Sequence, residues 1–219
     1  MKRLTLAFIG CFLLSLGIAK AQFFLGGSMS LNNSGGNNQA GSTKVDKNKI
    51  TSFGFYPWAG YFLSDQFAVG AELDLSLSKT KVPATQATQE VIGSSSSIGI
   101  VPFARYYAVK MNKFSIFGEG YVNFSIMSQK TSTGGTTTKL PKTTSIRVGV
   151  YPGVSYEISD KIELEAGIDL LNLSYSLVTV KDESVDPVTK NVTSTFNFGA
   201  GIDNIFNTGS ISVGAIFKF

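Results

Sequence analysis

The chain has 219 residues, no histidine, one cysteine and a formal net charge of +4. Without histidine it has no Ser-His-Asp triad, no histidine-ligated zinc and no imidazole general base. Its 23 glycines and 12 % aromatic residues are typical of strands and turns, and no apolar run after residue 21 approaches the roughly 20 residues of a transmembrane helix.

The N-terminus predicts export. Lys2 and Arg3 precede an apolar run over 4–19, and Ala19-Lys20-Ala21 has the small-x-small form of a cleavage site. We therefore predict a signal peptide over 1–21, removed on export. An uncleaved anchor is one alternative, although the run is short for a spanning helix.

The mature domain is predicted over 22–219. Lipidation at Cys11 is the other alternative for the leader, but Phe8 stands where a lipoprotein signal usually has leucine. Cleavage leaves 16 basic and 15 acidic residues and no cysteine. The mature chain therefore has no basic footprint for nucleic acid, no disulfide and no thiolate metal site.

The first segment of the mature chain, 22–31, alternates apolar and small residues and predicts a weakly one-sided strand. The next segment, 32–49, is polar, rich in Gly and Asn, and has no periodicity. That composition predicts a loop.

Three copies of one hairpin follow. Each copy contains a proline and a tyrosine four residues apart: Pro57/Tyr61, Pro102/Tyr106 and Pro152/Tyr156. An alternating run precedes each pair, and a tight polar turn and a second alternating run follow it. The repeat predicts six antiparallel strands arranged as three hairpins.

Long polar connections join the hairpins, over 79–95, 128–143 and 176–194. Short turns at one end and long loops at the other are the asymmetry of an outer-membrane barrel. A soluble barrel is the alternative, but it gives no reason for such strict alternation.

The chain ends on a strand with one apolar side. From Gly209 to Phe219, every second residue is apolar, with Ile216 as the exception on the other side. We interpret 195–219 as one long final strand, bent near 204–209, which gives eight strands in all. A separate ninth segment beginning near Thr195 is the alternative.

The hairpins "PWAGYFLSDQFAVGAELDLS" and "VPFARYYAVKMNKFSIFGEGYVNFS", with the terminal Phe219, resemble the small outer-membrane β-barrel proteins of Bacteroidetes. Those barrels are in turn similar to the OmpX and OmpA transmembrane-domain type. The resemblance implies an all-β fold, an eight-stranded antiparallel up-and-down transmembrane β-barrel with short periplasmic turns and long extracellular loops. It implies a place in the outer membrane and carries no shared catalytic residues.

Turning the apolar positions toward lipid places a charged set inside the barrel, with signs that alternate between neighbouring strands: Glu72, Asp74, Arg105, Glu119, Arg147, Glu163, Glu165 and Asp169. Because such charges are tolerated in a narrow lumen by pairing, we predict an interior ion-pair network centred on Arg105 and Arg147. It is either a static polar core or a switchable gate. Bulky side chains fall inward as well: Trp58, Phe103, Tyr107, Tyr121 and Tyr151.

An eight-stranded barrel is narrow enough for side chains to fill it. We therefore predict a structural or surface-interaction protein that uses its extracellular loops, with a narrow or gated channel as the alternative. We expect no enzyme activity, cofactor or metal. The expected partners are outer-membrane lipid and lipopolysaccharide, the barrel-assembly machinery through the strand ending at Phe219, and an unidentified extracellular ligand.

Overall fold

The computed structural model describes residues 23–41, 43–84, 88–168, 171–182, 187–200 and 211–219. The predicted signal peptide lies outside them. The described chain forms these strands: β1 (Phe23–Ser34), β2 (Asn37–Ala40), β3 (Thr43–Asp46), β4 (Lys49–Ser64), β5 (Phe67–Val82), β6 (Val91–Met111), β7 (Phe114–Thr133), β8 (Thr136–Lys139), β9 (Lys142–Ser159), β10 (Ile162–Ile168), β11 (Leu171–Asp182), β12 (Thr189–Ala200) and β13 (Ile211–Lys218). No helix in these ranges is long and apolar enough to cross a membrane.

Eight of these strands form a closed antiparallel ring. Their order around it is β1, β4, β5, β6, β7, β9, β10, β13 and back to β1. The predicted eight-stranded antiparallel barrel is therefore confirmed. The ring closes where β1 pairs with β13 over Phe24–Ser28, so the first and last strands meet. Closure leaves this part of the sheet without a free edge, as a barrel in lipid requires.

The final strand is described in two pieces. β12 pairs with β11, and β13 pairs with β10. Because β10 and β11 follow each other in the sequence, the two pieces of the final strand lie beside one continuous segment of the chain, 162–182. The bend that the sequence predicts over 204–209 lies outside the described residues. The count of eight ring positions follows from the pairing of β13 with both β10 and β1.

The strands extend well into the segments predicted as loops, so those boundaries were wrong. β5 continues to Val82, β7 continues to Thr133, and β2 and β3 form a small hairpin within 32–49. In these segments Ser, Thr and Lys occupy both faces of the strands, so no apolar alternation marks them. Thr and Ser support extended backbone without producing that signal.

Outward side chains form an apolar belt. Ile98 on β6, Phe124 on β7 and Val148 on β9 are each about half exposed, at 60 %, 45 % and 47 %. An apolar surface continuous over neighbouring strands is unfavourable in water and suits hydrocarbon. The belt ends toward the long connections, where Ser, Thr and Lys replace the apolar residues.

Candidate functional site

The interior contains a buried ion cluster centred on Arg105. Arg105 lies on β6 directly opposite Glu119 on β7, and its Nε and Nη2 atoms donate to Glu119 Oε2 at 2.9 and 2.6 Å. Its Nη1 atom donates to Glu165 Oε2 on β10 at 2.5 Å. Since β6 and β10 are not neighbours in the ring, the second ion pair crosses the lumen.

Further contacts hold the guanidinium and its partners in place. Tyr151 donates from its hydroxyl to Glu119 Oε1 at 2.6 Å, so both oxygens of that carboxylate accept hydrogen bonds. The guanidinium carbon of Arg105 lies 4.2 Å from the centre of the Phe117 ring. Only 2 % of Arg105 is exposed. A buried charge with this many partners is fixed in one geometry.

Aromatic side chains fill the barrel between the cluster and the short turns. The rings of Phe24, Phe62, Tyr107 and Phe117 form a continuous series, with neighbouring centres 5.1 to 5.6 Å apart. The inward positions predicted for aromatic residues hold, since Trp58, Phe103 and Tyr107 are buried and Tyr121 and Tyr151 pack against them. We call the four rings of Phe24, Phe62, Tyr107 and Phe117 the aromatic plug.

Glycines let the plug fit against the wall. A methyl group at Gly60 would overlap the ring of Phe24, and one at Gly153 would overlap the ring of Phe117. At each of these positions the ring lies directly on the backbone of the neighbouring, paired strand.

A second ion cluster closes the mouth of the lumen nearest the short turns, which we call the lower mouth. Lys218 Nζ on β13 lies 2.6 Å from Glu163 Oε2 and 3.3 Å from Glu157 Oε2. Lys110 Nζ lies 4.8 Å from the centre of the Tyr107 ring, beside the same opening. Sequence reasoning missed Lys218 as a partner, although its position on the inward side of the last strand was a sufficient signal.

Three of the other predicted residues, Glu72, Asp74 and Arg147, lie in the half of the lumen nearest the long connections, which we call the upper half. Asp74 accepts a hydrogen bond from Asn123 at 3.2 Å, and Glu72 is half-buried and makes no ion pair among the described residues. Arg147, predicted as the second centre, does not join the Arg105 cluster; it is exposed and faces Asn123 and Ser176. Asp169 lies outside the described residues.

Above the Arg105 cluster the lumen widens into a cavity of about 620 Å³. Arg105, Glu119 and Glu165 line it together with Glu72 and Tyr151. Within the described ranges, no group of three or more Asp, Glu or Cys side chains is placed to hold a metal ion. The cavity has a mixed lining, in which these charged groups lie beside the rings of Trp58, Phe103 and Phe117.

Comparison with known proteins gives a family match. The family model described as "Outer membrane protein beta-barrel domain" matches residues 19–178. A search of the curated proteins found no match.

Several solved structures are similar. Neisserial surface protein A is 19 % identical (91 % of this chain and 99 % of that one covered, TM-score 0.39). Ail, the attachment invasion locus protein of Yersinia pestis, is 14 % identical (91 % and 97 %, 0.40). A major outer membrane protein from Thermus thermophilus is 11 % identical (91 % and 99 %, 0.43).

Proposed function

The chain belongs to the outer membrane protein beta-barrel domain family, and on this premise we propose that it is a structural barrel that does not conduct, and that it contacts partners through its extracellular end. The observation that carries the proposal is the cross-lumen pair of Arg105 with Glu165, seated on the aromatic plug. Opening a path would require separating a buried ion pair and moving several packed rings.

The contact surface we propose is the part of the strands above the apolar belt. β6 has 21 residues and β7 has 20, whereas a strand needs about 9–11 residues to cross a bilayer. A large part of each hairpin therefore stands clear of the membrane as a rigid, Ser- and Thr-rich wall. Backbone pairing orders this wall before any partner binds, which lowers the entropic cost of binding.

A gated channel is the second candidate, and the 620 Å³ cavity favours it. The cavity lies directly against Arg105, Glu119 and Glu165, so breaking one of their ion pairs would be the opening step. We rank this candidate second because packed aromatic rings occupy the lumen beneath the cluster.

Conductance across planar bilayers separates the two candidates. The purified, folded protein should give no stable single-channel steps, while a variant with Arg105→Ala, Phe62→Ala and Phe117→Ala should give steps because the cross-lumen ion pair and two rings of the plug are removed. The variant serves as the control that the assay detects an open lumen. Steps from the wild-type protein as frequent as those from the variant would refute the non-conducting barrel.

A surface assay tests the contact role. Cells that express the wild-type protein should aggregate and adhere to polystyrene more than cells whose β2–β3 hairpin is replaced by a short Gly-Ser linker. Equal adhesion at equal surface levels would remove the support for that hairpin as a contact element.

We also propose the routes of export and assembly. Cleavage before Gln22 is supported by the small-x-small pattern of Ala19-Lys20-Ala21. Recognition of the last strand by the barrel-assembly machinery fits the exposed Phe217 on β13 and the exposed Phe219 that follows the strand. Intact-mass measurement of the mature protein should give an N-terminus at Gln22. Phe219→Ser should lower the amount of folded barrel in the outer membrane, whereas Phe23→Ser, which changes the ring facing Phe219, should lower it less.

A further inference from the structure

A ring of lysines follows the upper edge of the apolar belt. On five strands, a lysine stands on the outward face four residues beyond the last apolar outward residue: Lys49, Lys81, Lys130, Lys142 and Lys181. Four residues of strand span about 13 Å. The lysines therefore lie at one level, just above the hydrocarbon.

The outward face also has a groove at that level. The groove has a volume of about 710 Å³, and its lining includes four lysines: Lys79, Lys130, Lys139 and Lys142. The lining contains no Asp or Glu. None of these lysines makes an ion pair with any other residue in the described part of the chain.

Two of these lysines repel each other in the free protein. Lys130 on β7 stands directly opposite Lys139 on β8. Like charges at directly opposed positions destabilise a pair of strands. A bound anion with more than one negative charge would turn this repulsion into attraction.

The rest of the lining narrows the kind of anion. Phe53 and Leu77, which belong to the apolar belt, form one side of the groove, and Ser94, Ser96 and Ser128 contribute hydroxyl groups. A soluble anion would make no favourable contact with the apolar side of the groove. A lipid with phosphorylated sugars would place acyl chains along the belt, phosphates against the lysines and sugar hydroxyls against the serines.

We propose that this groove binds the phosphorylated headgroup of a glycolipid in the outer leaflet. The proposal rests on the outer-membrane location and on the orientation with the long connections outside, and it names one partner for the contact surface of the proposed function. A volume of about 710 Å³ falls within the roughly 300–1,000 Å³ of small-ligand sites.

The test compares two forms of one lipid. Folded protein in detergent micelles is titrated with lipid A that carries its phosphates and with the same lipid A after dephosphorylation, and bound lipid is counted by native mass spectrometry. We expect the wild type to bind the phosphorylated form at least tenfold more tightly. Equal binding of the two forms would overturn the proposal.

Matched variants locate the site. Lys130→Gln with Lys142→Gln should weaken binding by about 30-fold, since each lysine at an anionic surface contributes on the order of a fivefold effect. Lys49→Gln with Lys190→Gln removes two lysines near the same level that do not line the groove and should change binding less than about threefold. Equal losses in the two double variants would assign binding to general charge and overturn the site.

Competition identifies the source of the phosphate. Inorganic phosphate and dextran sulfate should displace the lipid only at concentrations far above those of lipid A, and displacement at similar concentrations would reassign the groove to soluble anions. The slower migration of each boiled sample in SDS verifies folding. Because the assay does not involve conductance or adhesion, its failure is distinct from a failure of the proposed non-conducting barrel.

Discussion

The two halves of the lumen differ in what fills them. The half nearest the short turns contains the aromatic plug, the Arg105 cluster and the Lys218 pair, and its largest side chains are almost fully buried. The half nearest the long connections contains the cavity, exposed Arg147 and short polar side chains. β4, β5, β6, β7 and β9 run through both halves, whereas β10 and β13 belong to the half nearest the short turns and β11 and β12 to the other half.

The difference shows that strand pairing and filling of the lumen are separate properties. Pairing of the backbones holds both halves, but only the lower half adds tertiary contacts across the barrel. Stability should therefore depend strongly on inward residues in the lower half and weakly on those in the upper half. The following substitutions test that division.

The largest effect is expected for Arg105→Met, which leaves Glu119 and Glu165 buried without their cation. Removing one partner of a buried pair costs about 3–5 kcal/mol. The free energy of unfolding is measured by urea titration in lipid vesicles, followed by the mobility of the unboiled band. The same change in the upper half, Arg147→Met, should cost less than about 0.5 kcal/mol. Similar losses for the two variants would contradict the division.

A second test overfills the plug. Gly153→Ala adds a methyl group that overlaps the ring of Phe117, and overpacking of this kind costs about 1–3 kcal/mol. The control is Gly118→Ala on the neighbouring strand, where no atom lies within 4 Å of the added group. We expect the control to retain wild-type stability. An unchanged Gly153→Ala variant would mean that the plug is loosely packed.

Alternation predicted which residues face inward, because a strand has a period of two and one face must suit lipid. It placed Arg105, Glu119 and Glu165 in the lumen, where the structure joins them. Alternation carries no information on depth, which depends on strand tilt and on the register between strands. For that reason it assigned Arg147 the same role as Arg105, although Arg147 lies four positions farther up, opposite Asn123.

The extent of the strands was harder to predict than their number. Above the belt, Ser, Thr and Lys occupy both faces, so the sequence has no apolar signal there and the composition is that of a loop. The pairing in this region comes from neighbouring strands that are already aligned. That alignment is a property of the closed barrel and is absent from any single segment.

A third test concerns the lower mouth. Lys218→Met removes the cation paired with Glu163, whose side chain is 5 % exposed. We expect a loss of about 1–2 kcal/mol, since a hydrogen-bonded charge is left without its partner. Lys161→Met, in the exposed turn before β10, is the control and should be neutral. A neutral Lys218→Met variant would show that water replaces the lysine at this mouth and that the filled region begins deeper, at the plug.

The smallest effect is expected at the far end of the upper half, in the hairpin formed by β2 and β3. Among the described residues these strands pair only with each other, so they add no strand pairing to the ring. Replacing Asn37–Asp46 by a short Gly-Ser linker should change the free energy of unfolding by less than about 0.5 kcal/mol. It should also leave the unboiled band intact, because β1 and β4 remain paired from Phe23 to Ser34. A loss as large as that of Lys218→Met would mean that the hairpin supports the barrel, and its role as a free contact surface would then have to be abandoned.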